Sequence, residues 1–280
     1  MNPQATNILA GGLRSRGERS FSGGAMPLVT VITVVLNGRD ILAGTIESVL
    51  GQSYPNLEYL VIDGGSTDGT LDIIREYQQR IDYWVSGPDR GIYHAMNRGV
   101  QMASGVWINF MNAGDRFTGA DTVSTVFDRD TSRCDLIYGD HEVRYGERFT
   151  RTQRAGLPEA LWQGMNFSHQ SAFVRSSLLR EQGFNSANRI SADFEVVYRL
   201  QQEGGRFLYA GQTVATVLAG GLSDLERARS IRSHWKVVAA YGGSAKLTCY
   251  YLGRLADCLV RSAVKRLLPQ GVIDLITKAK

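Results

Sequence analysis

An α/β fold built on a mainly parallel sheet is predicted by three features of this 280-residue chain. Apolar, β-branched runs at 28–36, 58–62 and 106–111 have the character of strands buried on both faces. Segments with helical spacing alternate with them over short connections, as right-handed βαβ crossovers require. Composition agrees, since 43% hydrophobic and 21% charged residues supply a sizeable core and exclude a disordered chain.

Residues 1–25 are polar, rich in Gly and Ser, and read as a flexible leader, with Met26 directly before the first strand as a candidate start. Leu28–Leu36 is that strand, and Asp40–Gly51 a helix with Ile41, Leu42, Ile46, Val49 and Leu50 on one side. Glu58–Ile62 is a second strand, and the glycine-rich loop 63–70 (DGGSTDGT) leads to a helix over Leu71–Ile81. Tyr83–Val85 is a short strand, Tyr93–Ala103 a helix and Val106–Met111 a buried strand. Beyond residue 118 the alternation loosens. Strands are expected at 136–138, 141–145, 206–210 and 214–218, helices at 176–182 and 193–202, and a mostly helical tail from 225. The expected organisation is a leader (1–25), a body (26–224, in two parts, 26–117 and 118–224) and a tail (225–280).

The net charge of +4 hides an asymmetry: residues 225–280 carry a net +8 and residues 28–224 a net −6. A basic tail on an acidic body points to an anionic surface as the tail's partner and away from nucleic acid for the body. The two longest uncharged stretches, 20–38 and 207–223, are 19 and 17 residues and are interrupted by glycines and hydroxyls, so neither a membrane span nor a signal peptide is expected. Three cysteines without CxxC spacing argue against a disulfide framework or a cysteine zinc site and fit a reducing cytoplasm.

In a parallel sheet, ligands bind beyond the carboxyl ends of the strands, which directs attention to the loops at Asn37, Asp63, Ser86 and Asn112. Asp63 follows a buried strand and precedes glycines 64, 65 and 69. Its carboxylate can meet a base or ribose, or the loop can serve only to start the next helix, with Asp68 as cap. Asn112-Ala-Gly-Asp115 can bring a carboxylate to a divalent cation on diphosphate oxygens, or be an Asx turn.

Taken together, residues 29–37 (VTVITVVLN), 45–70, 86–105 (SGPDRGIYHAMNRGVQMASG), 108–117 (INFMNAGDRF), 168–185 and 191–200 (SADFEVVYRL) resemble glycosyltransferase family 2 over about 28–222. The resemblance implies an inverting enzyme of the GT-A (Rossmann-like) fold, which takes a sugar from a nucleotide-diphosphate donor, UDP-linked by preference. It makes 26–224 the catalytic domain, with a nucleotide-binding part (26–117) and an acceptor part (118–224). It implies that Val35, Asn37 and Asp63 line the nucleotide pocket, and that Arg90 and Asn97 border the diphosphate and sugar. Asn112 and Asp115 match the outer positions of the family's metal motif, which makes Asp115 the candidate ligand for Mg2+ or Mn2+. Asp193 matches the catalytic base, taking the proton of the acceptor hydroxyl as it attacks the anomeric carbon. His169, Gln170 and Trp162 are candidates for the acceptor site. Gly64, Gly114 and Ala192 stand where the family carries acidic residues. By its spacing alone, Asp193 reads as a helix N-cap, and Arg90 as one half of a surface ion pair.

The implied acceptor is a growing glycan or a polyprenyl-linked oligosaccharide in the synthesis of bacterial surface polysaccharide. The tail over 244–268 places Leu252, Leu255, Leu259, Ala263 and Leu267 on one helical face, with Arg254, Arg261 and Lys265 on another. Such a helix either lies peripherally on the inner face of the membrane or packs on the catalytic body. Two other readings stand beside the transferase. Residues 8–16 (ILAGGLRSR) resemble the signature of sugar nucleotidyltransferases, and the three replaced acidic residues fit a non-catalytic subunit of a glycan-assembly complex.

Overall fold

A computed structural model describes residues 8–18, 26–146, 149–220 and 226–267. A short edge strand β1 (Leu9–Gly11) precedes β2 (Val29–Val35), β3 (Leu57–Asp63), β4 (Tyr83–Ser86) and β5 (Trp107–Phe110). These last four alternate with α1 (Arg39–Leu50), α2 (Thr70–Glu76) and α3 (Ile92–Met102). The second half holds β6 (Arg116–Phe117), α4 (Thr122–Phe127), β7 (Leu136–Tyr145), β8 (Phe149–Gln153), β9 (Ala172–Arg175), α5 (Ser176–Gln182), α6 (Ala192–Gln202) and β10 (Phe207–Leu218). The tail is α7 (Arg227–Ala240) and α8 (Ala245–Leu267).

The strands form one sheet in the order β1-β4-β3-β2-β5-β9-β7-β10-β6, with β8 paired to β7. The run β4-β3-β2-β5 is parallel throughout, as is the pair β7 and β10. Antiparallel pairings of β9 with β5 and β7 join the two halves of a mixed sheet whose central strands are mainly parallel, as expected. The strands anticipated at 136–138 and 141–145 are one strand, and those at 206–210 and 214–218 another, the latter with register shifts between Tyr209 and Ala215. The helix anticipated over 71–81 ends at Glu76.

Alternation along β2 explains the two-sided core. Val29, Val31 and Val35 join a cluster with Leu42, Ile46 and Val49 of α1 and Ile74 of α2, while Ile32 and Val34 face Tyr93, Met96 and Val100 of α3. Gly99 lets α3 lie close to the sheet, because a Cβ there would come within 2.7 Å of Ile32 Cγ2.

Part of the segment read as a flexible leader is built into the sheet. β1 runs antiparallel to β4, placing Leu9 opposite Ser86 and Gly11 opposite Trp84. The Arg14 guanidinium donates to Glu58 Oε1 at 2.9 Å and to the Met102 carbonyl at 2.8 Å. Glu58 is fully buried on β3, so this cation answers a charge that the core could not hold alone. The glycines of the nucleotidyltransferase-like stretch thus sit against the start of β4, where Gly12 abuts the backbone of Ile81 and Asp82. That is the amino end of the strand, away from the ligand edge, and it takes support from that reading. Residues 1–7 and 19–25 of the leader lie outside the described residues.

The tail is packed onto the body. Trp235 of α7 stacks on Tyr251 of α8 with ring centroids 6.0 Å apart, and the Tyr251 hydroxyl donates to the Trp162 carbonyl at 3.1 Å. Ser233 of α7 donates to Asn188 Oδ1 at 2.9 Å, and His234 lies 4.3 Å from the ring of Phe194, so α7 braces the start of α6. On α8, Leu247, Tyr251 and Cys258 are buried, whereas Leu252, Leu259, Val260 and Val264 are exposed. Among the described residues no helix is long and apolar enough to cross a membrane.

Candidate active site

Register places the ends of three strands at one level: Val35 pairs with Asp63, and Asp63 with Ser86. Their loops form a continuous rim. The Gly64 N–H donates to the Val35 carbonyl at 2.9 Å, the Asn37 N–H to Ser66 Oγ at 2.7 Å, and the Thr67 N–H to Asn37 Oδ1 at 2.9 Å. Asn37 holds φ 51°, a left-handed conformation that asparagine tolerates better than most residues. Asp68 accepts the N–H groups of Thr70 at 2.9 Å and Arg39 at 3.1 Å and so ties the loop to both helices, but the N-cap of α2 is Gly69 and not Asp68 as anticipated.

Several candidates occupy positions other than those expected. Asp63 does not open into the crevice. It is fully buried, and its oxygens accept from the Gly65 and Ser66 N–H groups and from the Ser66 and Ser86 hydroxyls, so it organises the loop. Val35 has its carbonyl taken by Gly64. Asn97 does not border a ligand either. Its amide donates to the Phe184 carbonyl and accepts the Phe184 N–H, both at 2.8 Å, which pins the turn after α5 to α3. Trp162 lies under α8, with the Lys246 ammonium 5.2 Å from its ring and Tyr250 at 5.0 Å, instead of standing open as a stacking platform. Glu195, on the same helix as Asp193, accepts from Asn185 and Asn188. Arg90 is exposed, 3.4 Å from His94 Nε2.

The turn after β5 explains one departure from the family pattern. Gly114 has φ 98°, which disfavours any side chain, and its N–H donates to Thr45 Oγ1 at 2.9 Å. Asp115 is 5% exposed; Oδ1 accepts the Leu218 N–H at 2.8 Å and Oδ2 the Gln170 amide at 2.6 Å. Burial pushes its carboxyl upward, against the pull of those two donors and of His169. Gln170 is therefore a clamp on Asp115 and not a free acceptor contact.

Asp193 stands at the second position of α6, behind the N-cap Ser191, so it is not the helix cap. Oδ1 accepts the Tyr93 hydroxyl at 2.8 Å and Oδ2 faces His169 Nδ1 at 3.0 Å. The other imidazole nitrogen lies 3.1 Å from the Asn112 amide. A chain of contacts thus runs from the end of β5 through Asn112 and His169 to Asp193 and Tyr93 on α3. Burial by itself would raise the Asp193 carboxyl, but the His169 contact and charge and the Tyr93 hydroxyl outweigh it and hold the group at about 2. Burial would likewise lower His169, yet the Asp193 partner leaves it raised.

These directions set a pH window. Asp193 contributes stability above the ordinary carboxylate value of about 3.9, lost as pH falls through about 2. His169 contributes fully below the ordinary imidazole value of about 6.5, and its share is lost as pH rises through its raised value. NMR titration of the His169 ring is expected to give a midpoint above about 6.5 that falls in Asp193→Asn. A wild-type midpoint at or below the ordinary value would contradict the ion pair.

A cation site made by the protein alone is not present: among the described residues no three His, Cys, Asp or Glu side chains group to hold a metal. What remains suits a cation brought in on a diphosphate. Asp115 offers the second lone pairs of its oxygens, and Asn112 Oδ1 is buried and accepts no hydrogen bond.

Comparison with known proteins agrees with this architecture. Residues 30–195 match glycosyl transferase family 2, and the chain belongs to that family. A PGL/p-HBAD biosynthesis glycosyltransferase of Mycobacterium tuberculosis is 33% identical over 177 residues, covering 61% of this chain and 68% of the relative. Among solved structures, the mannosyltransferase PcManGT of Pyrobaculum calidifontis, in complex with GDP-Man and Mn2+, superposes with TM-score 0.62 at 18% identity over 95% of this chain and 84% of that one. TarS of S. aureus with UDP-GlcNAc gives 0.57 at 14% identity over 82% and 71%. At such identities these two share the GT-A fold. The chain is accordingly a glycosyltransferase.

Tyr93 escaped the sequence reading. Tyr93 occupies an apolar position of α3 and looks like core, although the stretch GIYHAMN (91–97) that contains it was already in view.

Proposed function

We propose that this transferase moves a sugar, with inversion, from a nucleoside-diphosphate donor held at the carboxyl ends of β2–β5 to a hydroxyl of a glycan or polyprenyl-linked oligosaccharide, with Asp193 as base. The chain of contacts Asn112–His169–Asp193–Tyr93 carries the reading, because it sets an ionised carboxylate across from the rim of nucleotide-binding loops. The Tyr93, His169 and Phe194 N–H contacts still leave Asp193 an unused lone pair for an acceptor hydroxyl. A carboxylate held near 2 is a weak base towards an alcohol. It becomes competent once the attacking oxygen bonds to the anomeric carbon, since the oxonium so formed is strongly acidic. One displacement then forms the new C–O bond, breaks the bond to the departing diphosphate and leaves the proton on Asp193.

Asp115 and Asn112 would hold Mg2+ or Mn2+ arriving with the donor, and such a cation supplies neutralisation of the leaving diphosphate. Arg90, exposed beside the rim, is placed to add charge and hydrogen bonds to the same phosphates. Incubation with UDP-glucose, UDP-N-acetylglucosamine and GDP-mannose, scored by released nucleoside diphosphate, is expected to show one donor consumed. No release from any of them would count against the reading, and a UDP-linked donor is favoured.

The acceptor side is supported by α8. Its exposed Leu252, Leu259, Val260 and Val264 present an apolar stripe on a net-basic tail, suited to an anionic membrane surface over 244–268 and thus to a lipid-carried acceptor. Of the basic residues assigned to that helix, Arg254 is spent on the Gln163 carbonyl and Arg261 on Asp257, while the side chain of Lys265 lies outside the described residues. Flotation with anionic liposomes should therefore depend on the apolar stripe. Binding that survives Leu252→Ser/Leu259→Ser/Val260→Ser unchanged would remove the stripe as its cause, and no flotation of the wild type would remove the membrane from this account.

A further inference from the structure

The family pattern places an acidic side chain directly after Asp63, where this chain has Gly64. The space that such a side chain would enter is already filled by a carboxylate from another loop. A Cβ added at Gly64 would lie 2.6 Å from Asp89 Oδ2, 3.1 Å from its carboxyl carbon and 3.4 Å from Leu36 Cδ1. Gly65 allows the same approach from the backbone, since a Cβ there would meet Pro88 N at 3.1 Å, and its φ of 86° favours glycine in any case. The paired glycines thus admit the 87–90 segment against the 63–66 loop.

Asp89 is held for use by one of its oxygens. Oδ1 accepts the Gly91 N–H at 2.8 Å, which fixes the side chain, and Oδ2 makes no hydrogen bond among the described residues. Asp63, in contrast, is sealed with both oxygens engaged. At this corner of the rim, Asp89 Oδ2 is the carboxylate oxygen left to receive a donor, and it is half-buried, where a hydrogen bond to a charged acceptor is worth more than in open water.

We propose that Asp89 is the base-recognising carboxylate of this enzyme, accepting a ring N–H of the donor's nucleobase, uracil N3–H or guanine N1–H, in place of the side chain missing at Gly64. The assignment rests on the nucleotide-binding reading above. It makes the β4–α3 loop, and not the β3–α2 loop, the determinant of nucleotide choice. A carboxylate there disfavours cytosine, whose ring nitrogen at the matching edge carries a lone pair and no proton.

Calorimetric titration of the full chain with UDP and GDP tests it, comparing wild type with Asp89→Asn. Asparagine keeps an oxygen for the Gly91 N–H and so retains the loop, which an unchanged melting temperature would verify. The expected result is a loss of affinity for the preferred nucleotide of about 10- to 100-fold, the range for one hydrogen bond to a charged group. The 2′-deoxy form of that nucleotide should lose the same factor. Equal affinity in wild type and Asp89→Asn would overturn the proposal, as would a loss confined to the 2′-hydroxyl form, which would assign Asp89 to the ribose. Failure of the wild type to bind either nucleotide would instead overturn the nucleotide-binding reading itself, and this proposal with it.

Discussion

Asp193→Asn is expected to lower turnover by about 10²- to 10⁴-fold, the usual contribution of a positioned general base, with affinity for the nucleoside diphosphate unchanged. The amide has nearly the shape of the carboxylate and can still accept the Tyr93 hydroxyl on one side. It cannot take a proton, and it removes the charge that keeps His169 raised. Steady-state kinetics beside a nucleotide titration separate the two effects. Loss of turnover with donor binding retained supports the base. A variant as active as wild type would eliminate Asp193 from the chemistry, and an inactive wild type that binds nucleotide would favour the non-catalytic subunit. A melting temperature measured alongside guards against trivial unfolding, because Asp193 also ties α6 to α3 and to the segment carrying His169.

The second large effect is on stability. Arg14→Ala is expected to lower the melting temperature by roughly 3–8 °C, corresponding to about 1–3 kcal/mol for a buried charged group stripped of its partner. Glu58 has no exposed side-chain surface, and besides Arg14 it is bonded by the Thr30 hydroxyl and, at 2.7 Å, by the Ser104 N–H. The Arg14 side chain is 33% exposed, so water screens part of the interaction, and the cost falls below the about 3–5 kcal/mol of a fully enclosed pair. Thermal unfolding of Arg14→Ala, and of Arg14→Ala combined with Glu58→Gln, checks the cause, since neutralising Glu58 should recover part of the loss. No change on removing Arg14 would mean that the two neutral donors suffice for Glu58. Deleting residues 1–25 should reproduce the destabilisation, because the edge strand leaves together with Arg14.

How much of this was legible in the sequence follows from the physics of each element. β2, β3 and β5 announce themselves because strands covered on both faces must be apolar at every position, as VTVITVV (29–35) is. β8 (FTRTQ, 149–153) is mostly exposed and carries no such run, and β1 (LAG, 9–11) has no β-branched residue; β8 exists through pairing to β7, the strand before it, and β1 through pairing to β4, distant in sequence. The antiparallel β9 was missed for a related reason. Its four residues become a strand only between β5 and β7.

The site divides in the same way. Asp193 was recoverable from its motif, but not its state, which depends on Tyr93 and His169 arriving from other segments. Asn97 was assigned to the donor because its neighbours belong to a donor-binding segment; its partner, Phe184, is 87 residues away and no local pattern announces it. Gly114 shows the converse. Its replacement of an acidic residue looked like a loss of function, whereas the turn's left-handed backbone accounts for it. Gly64 likewise gains meaning only when Asp89 is seen beside it.

The central claim is that the carboxyl ends of β2–β5 bind a nucleoside diphosphate facing Asp193. The most direct test is thermal unfolding of the full chain with UDP, GDP, CDP and dTDP, each with and without Mn2+. At 100 times its dissociation constant a ligand adds about 2.7 kcal/mol, or roughly 5–10 °C for a chain near this size. The account predicts such a shift with UDP or GDP, larger when Mn2+ is present if Asp115 shares the cation. A flat response to all four nucleotides, with and without the metal, would contradict it.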